Sequence, residues 1–74
     1  MKITPHQCRA ARGLLSISQQ DLAKMANVGL STVRSFENEK STPITNNIQA
    51  IQTALENAGV NFIDNGVILS NNNK

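Results

Sequence analysis

The side chains able to do chemistry concentrate between Gln19 and Lys40, and their types suit hydrogen bonding rather than bond making. Arg34 comes first: a guanidinium can hold guanine by two hydrogen bonds, a pair that discriminates against a wrong base by about 1–3 kcal/mol. Ser31 and Ser35 fall on the same helical face as Arg34, three and one residues away in sequence, and a hydroxyl that donates and accepts can touch a base or a phosphate. Leu30 could pack on a thymine methyl group. Gln19 opens a helix whose free amides and dipole favour an anion, so it is a candidate for phosphate, with Thr32 as a second. The plainer alternative for each is a solvated surface side chain.

Nothing comparable supports catalysis. His6 is the single histidine, the acids number five, and no nucleophile stands with a base and an orienting group. The lone Cys8 excludes an internal disulfide, cannot make a metal site by itself, and falls on an apolar stripe where it reads as a small core residue. No enzyme, cofactor or metal is expected.

The polar set needs rigid elements to aim it. From Ser18 to Lys40 the apolar residues fit two short helices joined by a tight turn: Leu22, Ala23 and Ala26 face inward from one, Val33 and Phe36 from the next, and Val28 fills the corner. Asn27 occupies the turn, where a left-handed backbone is wanted and Asn tolerates it better than most residues. Upstream, Thr4 and Pro5 mark a helix start, with Cys8, Ala11 and Leu15 on its inner face, Gly13 and Leu14 near its end, and Ile17 dropping into the core before Ser18 caps the next helix. After Asn38, residues 39–42 read as a polar loop and Pro43 blocks further helix. A fourth helix follows, capped by Thr45, with Ile48, Ile51, Leu55 and Ala58 inward and Gly59 as a left-handed stop. Beyond it, Val60, Phe62 and Ile63, then Val67, Ile68 and Leu69, flank Asp64-Asn65-Gly66 and predict a small β-hairpin.

These residues resemble the phage repressor and Cro type (XRE-type) of helix-turn-helix regulator, whose motif runs Gln, two residues, Leu-Ala, a turn, and a helix ending in Glu-Asn. Here those are Gln19, Leu22, Ala23, Glu37 and Asn38, and the match covers about Arg9 to Leu55. The resemblance implies a mainly α fold, a four-helix lambda-repressor-like DNA-binding domain with a short C-terminal β-hairpin. It implies that Arg12 pairs with Glu37 as a structural ion pair, and that Asn38 and Lys40 form a second phosphate clamp. Two positions depart from the pattern: Gly29 replaces the usual Ser or Thr cap, and Glu39 replaces the glycine that usually follows the Asn, which sets an anion near the expected phosphate path. The tail resembles the Gly-Val-x-Phe-Ile end of many small bacterial regulators of this type, with Ile68 where those often carry arginine.

The chain divides into a helix-turn-helix unit over 1–59 (motif 18–40), the hairpin over 60–69 and a loose tail over 70–74. Phe62, Ile63, Val67, Ile68 and Leu69 either contact a second copy of the chain or cover the bottom of the helical core, since an isolated hairpin is marginal in water. Up to Lys40 six basic residues stand against three acidic ones, whereas beyond it one stands against two. The mild positive excess therefore lies in the motif half, as duplex DNA would require, although ordinary surfaces carry as much. No run is apolar enough to cross a bilayer and none resembles a signal peptide, so a cytoplasmic protein is expected. One helix reads few bases, and a homodimeric repressor on an inverted repeat with half-sites about 34–36 Å apart would read more. The alternative is a protein-interaction module of the same fold, of antitoxin or anti-repressor type, with DNA binding secondary.

Overall fold

The computed structural model describes residues 2–40 and 44–70. Four helices are followed by two strands: α1 (Pro5–Leu15), α2 (Gln19–Ala26), α3 (Leu30–Glu37), α4 (Thr45–Asn57), β1 (Val60–Ile63) and β2 (Gly66–Leu69). The fold is thus the expected mainly α one with a terminal antiparallel hairpin. The expected loop stop at Pro43 and most of the tail, residues 71–74, lie outside the described residues.

The first two helices start on reciprocal capping boxes. The Thr4 hydroxyl accepts from the Gln7 backbone N–H at 3.1 Å while the Gln7 side-chain oxygen Oε1 accepts from the Thr4 N–H at 2.9 Å, and Ser18 and Asp21 repeat the arrangement at 2.9 and 3.0 Å. Both helices end on left-handed residues, Asn27 (φ 57°) as expected and Ser16 (φ 58°), which the sequence did not flag. By contrast α3 and α4 have no side-chain cap. An eight-residue helix without a cap is marginal by itself, so α3 depends on what it packs against.

That packing is one core. Cys8 and Ala11 of α1, Leu22 of α2, Val33 of α3, Ile51 and Leu55 of α4 and Val60 of β1 are essentially inaccessible, with Phe36 and Ile48 beside them. Fully burying a Val, Leu or Ile side chain is worth about 1.5–3 kcal/mol. Leu15, Ile17 and Val28 pack partly buried against this cluster. Ile3, ahead of α1, also belongs to it.

Three details of the C-terminal half differ from expectation. Thr45 is the first residue of α4 rather than its cap, which is Ile44. Ala58 is an exposed residue past the helix end rather than part of the inward stripe, a place taken by Ala54. Ser70 is not loose: its N–H donates to the Gly59 carbonyl at 2.6 Å and extends the pairing past Val60 and Leu69. Gly59 does take a positive φ, of 106°. In the hairpin the left-handed residue is Asn65 (φ 60°), so Gly66 is free to begin β2.

One side chain fastens the hairpin to the helices. Gln7 is 5% exposed, and while its oxygen serves the α1 cap, its Nε2 donates to the carbonyls of Ile63 at 2.7 Å and Gly66 at 3.1 Å. Those two residues are the closing pair of the hairpin. Gln7→Ala should therefore loosen the α1 start and the hairpin together, lowering stability by about 1–3 kcal/mol in urea unfolding. An unchanged midpoint would show that these bonds add nothing.

Candidate nucleic-acid interface

The site is organised around a carboxylate that faces away from it. Glu37, the last residue of α3, is 1% exposed. Its Oε1 accepts from Arg12 Nη2 at 2.7 Å and from Gln19 Nε2 at 3.1 Å, and its Oε2 accepts from Arg12 Nε at 2.7 Å and from the Cys8 thiol at 3.1 Å. Arg12 therefore grips the carboxylate with two parallel bonds, the strongest geometry available to this pair, while its Nη1 donates to the Ile17 carbonyl at 3.2 Å. Arg9, one turn earlier on α1, donates to the Glu37 backbone carbonyl. Two helices thus hold the end of a third.

Burial alone would push the Glu37 carboxyl up, but the hydrogen bonds from Arg12, Cys8 and Gln19 outweigh it and hold the group below the usual carboxylate range. Burial, and then the hydrogen bond to Glu37, push the Cys8 thiol far up, so it stays protonated and acts as a donor. The roles of Cys8 and Arg9 carried no sequence signal beyond their spacing on the face of α1 that also carries Arg12.

With its acid turned inward, α3 presents an outer stripe free of negative charge. Ser31, Arg34 and Asn38 are exposed, and Ser35 is half-buried between them; their spacing puts all four on one face. Thr32 is half-buried at its margin and Lys40 is exposed beyond the helix end. Leu30 differs from expectation, because it packs partly against the core and leaves only part of its side chain for a groove. Gln19 also differs: its amide is engaged by Glu37, and the start of α2 already holds the Asp21 carboxylate, which accepts the Ser18 N–H. Asp21 is held below its usual range by that backbone bond and by the Ser18 hydroxyl.

The hairpin residues divide between its two faces. Phe62 and Val67, which pair with each other, pack half-buried against the core, whereas Ile63 and Ile68 on the opposite face are 48 and 50% exposed; Leu69 shares the inner face with Val67 but, at the open end, is 46% exposed.

Arg12 and Arg34 should therefore differ sharply in what they do for stability. Arg12→Ala removes two of the four donors to a buried carboxylate and should lower stability by on the order of 3 kcal/mol at neutral pH, whereas Arg34→Ala at an exposed position should stay within about 0.5 kcal/mol. Because the folded Glu37 is held below its unfolded range, its contribution is complete above about pH 5 and is lost as pH falls through the folded value. The difference between Arg12→Ala and wild type should accordingly narrow below about pH 4. Thermal melts of both variants at pH 7 and pH 3.5 check this; a larger loss for Arg34→Ala would reverse the assignment.

No helix among the described residues is long and apolar enough to cross a membrane, and no group of three or more His, Cys, Asp or Glu among them could hold a metal ion. No curated protein gives a significant match to the chain. A helix-turn-helix family model matches residues 9–57, about two thirds of the chain, from Arg9 of the Glu37 cluster to the last residue of α4. The chain belongs to the helix-turn-helix family of XRE-type, Cro-like DNA-binding regulators.

Proposed function

We propose that the chain is a sequence-specific transcriptional repressor that inserts the 29–38 helix into the major groove of an inverted-repeat operator as a homodimer. The observation that carries this is the contrast on α3 between its buried, fully bonded acid, Glu37, and its outer face of Ser31, Arg34, Ser35 and Asn38. A side chain reads bases reproducibly only when its helix is held in register, and the Glu37 cluster does that holding. Arg34 is the principal base reader, with Ser31, Ser35 and the outer part of Leu30 supporting it. Asn38 and Lys40 hold one phosphate strand, and Gln19 with Thr32 the other, Gln19 through whichever amide proton Glu37 leaves free. Such contacts orient the protein without reading sequence. Repression then consists of occupying the operator in the cytoplasm and excluding competing proteins.

Selecting duplexes from a random pool should yield an inverted repeat, and Arg34→Ala should lose about 1–3 kcal/mol of affinity for it while keeping the wild-type melting point. Affinity should fall steeply as salt rises. An Arg34→Ala protein that binds the selected duplex as tightly as wild type removes Arg34 from the reading set.

The dimer contact we assign to the uncovered part of the hairpin. The register puts Ile63 and Ile68 on the outer face, and Leu69 stands at the open end; each is about half exposed, so covering what remains against a second copy is worth about 1 kcal/mol each. Phe62 and Val67 support it from below. Sedimentation should give about twice the 8.0 kDa of one chain, falling to the single-chain mass in Ile68→Lys. Wild type that stays a monomer both free and on DNA contradicts the dimer. The same exposed isoleucines favour a second reading, an interaction module for another protein, whose binding would respond little to salt.

A further inference from the structure

The described residues contain four non-glycine residues with a left-handed backbone: Ser16, Asn27, Glu39 and Asn65. Ser16 and Asn27 cap helices and Asn65 turns the hairpin. Asn tolerates this conformation, and glycine adopts it freely. Glu39 (φ 61°) follows the α3 cap, and the backbone there closes the end of α3, with the Glu39 N–H donating to the Phe36 carbonyl at 3.1 Å and the Lys40 N–H to the Ser35 carbonyl at 3.0 Å. Glycine would make the same closure without strain. The Glu39 side chain contributes no hydrogen bond of its own; it is 56% exposed, and the nearest cation-forming group, His6 Nε2, is 4.0 Å away. A strained backbone position held by an exposed carboxylate that makes no hydrogen bond points outward, to what the charge meets.

We infer that Glu39 is a brake on phosphate contact, an anion held beside the phosphate wall of the groove so that duplex binding is weaker than the cations of this face would otherwise make it. This rests on the reading that α3 enters the major groove. In that reading the groups just past the end of α3 meet the phosphate wall of the groove rather than base edges. Glu39 lies there between Asn38 and Lys40, and its charge opposes the one Lys40 brings. The repulsion carries no base information, so it acts on every sequence alike.

The test is a titration of a labelled random-sequence duplex with wild type, Glu39→Gln, Glu39→Gly and the control Asp64→Asn, which removes an equal charge from the hairpin turn. Glu39→Gln keeps the strain and removes the charge; Glu39→Gly removes both. Each should bind about three- to fivefold more tightly than wild type at low salt, with the curves converging as salt screens the phosphates, and the thermal midpoint should rise in Glu39→Gly alone. Asp64→Asn should bind like wild type. Glu39→Gln binding no better than a wild type that does bind, or Asp64→Asn gaining as much, overturns the brake while leaving DNA binding intact. Failure of all four proteins to bind any duplex at low salt would instead overturn the DNA reading, and the brake with it.

Discussion

A carboxylate can be buried in a protein interior only if donors surround it, and that requirement at Glu37 ties this fold together. Cys8 and Arg12 reach it from α1 and Gln19 from α2, so the position of α3 is set by three side chains whose own helices start on capping boxes. The polarity of the arrangement matters. The α3 acid is consumed in fixing the helix, and the outer stripe of the helix itself carries no negative charge; the anion nearby is Glu39, past its end. The same cluster thus fixes the register of α3 and keeps its one acid off the outer face.

The hairpin shows a comparable economy at Gln7. One amide caps α1 with its oxygen and closes the hairpin with its nitrogen, so the strands are fastened to the same helix that grips Glu37. Strands this short would not hold without such anchoring and without Val60, Phe62 and Val67 against the core. Beyond the anchoring, Ile63 and Ile68 are left about half exposed by the described residues.

Much of this was legible in the sequence because the local signals agree with the global packing. Apolar spacing marked all four helices, Thr4-Pro5 and Ser18 marked two starts, Asn27 marked the turn, and the change of period after Gly59 marked both strands. The errors fall at the two ends of α4, where apolar spacing does not fix the boundary to the residue. Thr45 reads as a cap, but the helix begins on it; Ala58 reads as part of the inward stripe, but the helix has ended before it. At the candidate site, resemblance supplied the pairing of Arg12 with Glu37, whereas Cys8 as a buried donor and Gln19 as a ligand of Glu37 depend on helix packing that no linear spacing encodes. Glu39 was visible only as a departure from pattern, and its backbone angle gave the departure a physical meaning.

The most direct test follows the backbone amides of labelled protein by NMR while an operator duplex is added. Insertion of α3 predicts that the largest shifts fall at Ser31, Arg34, Ser35 and Asn38, with α4 nearly unmoved. Shifts confined to the hairpin, with α3 unchanged at saturating duplex, would contradict the account at its centre.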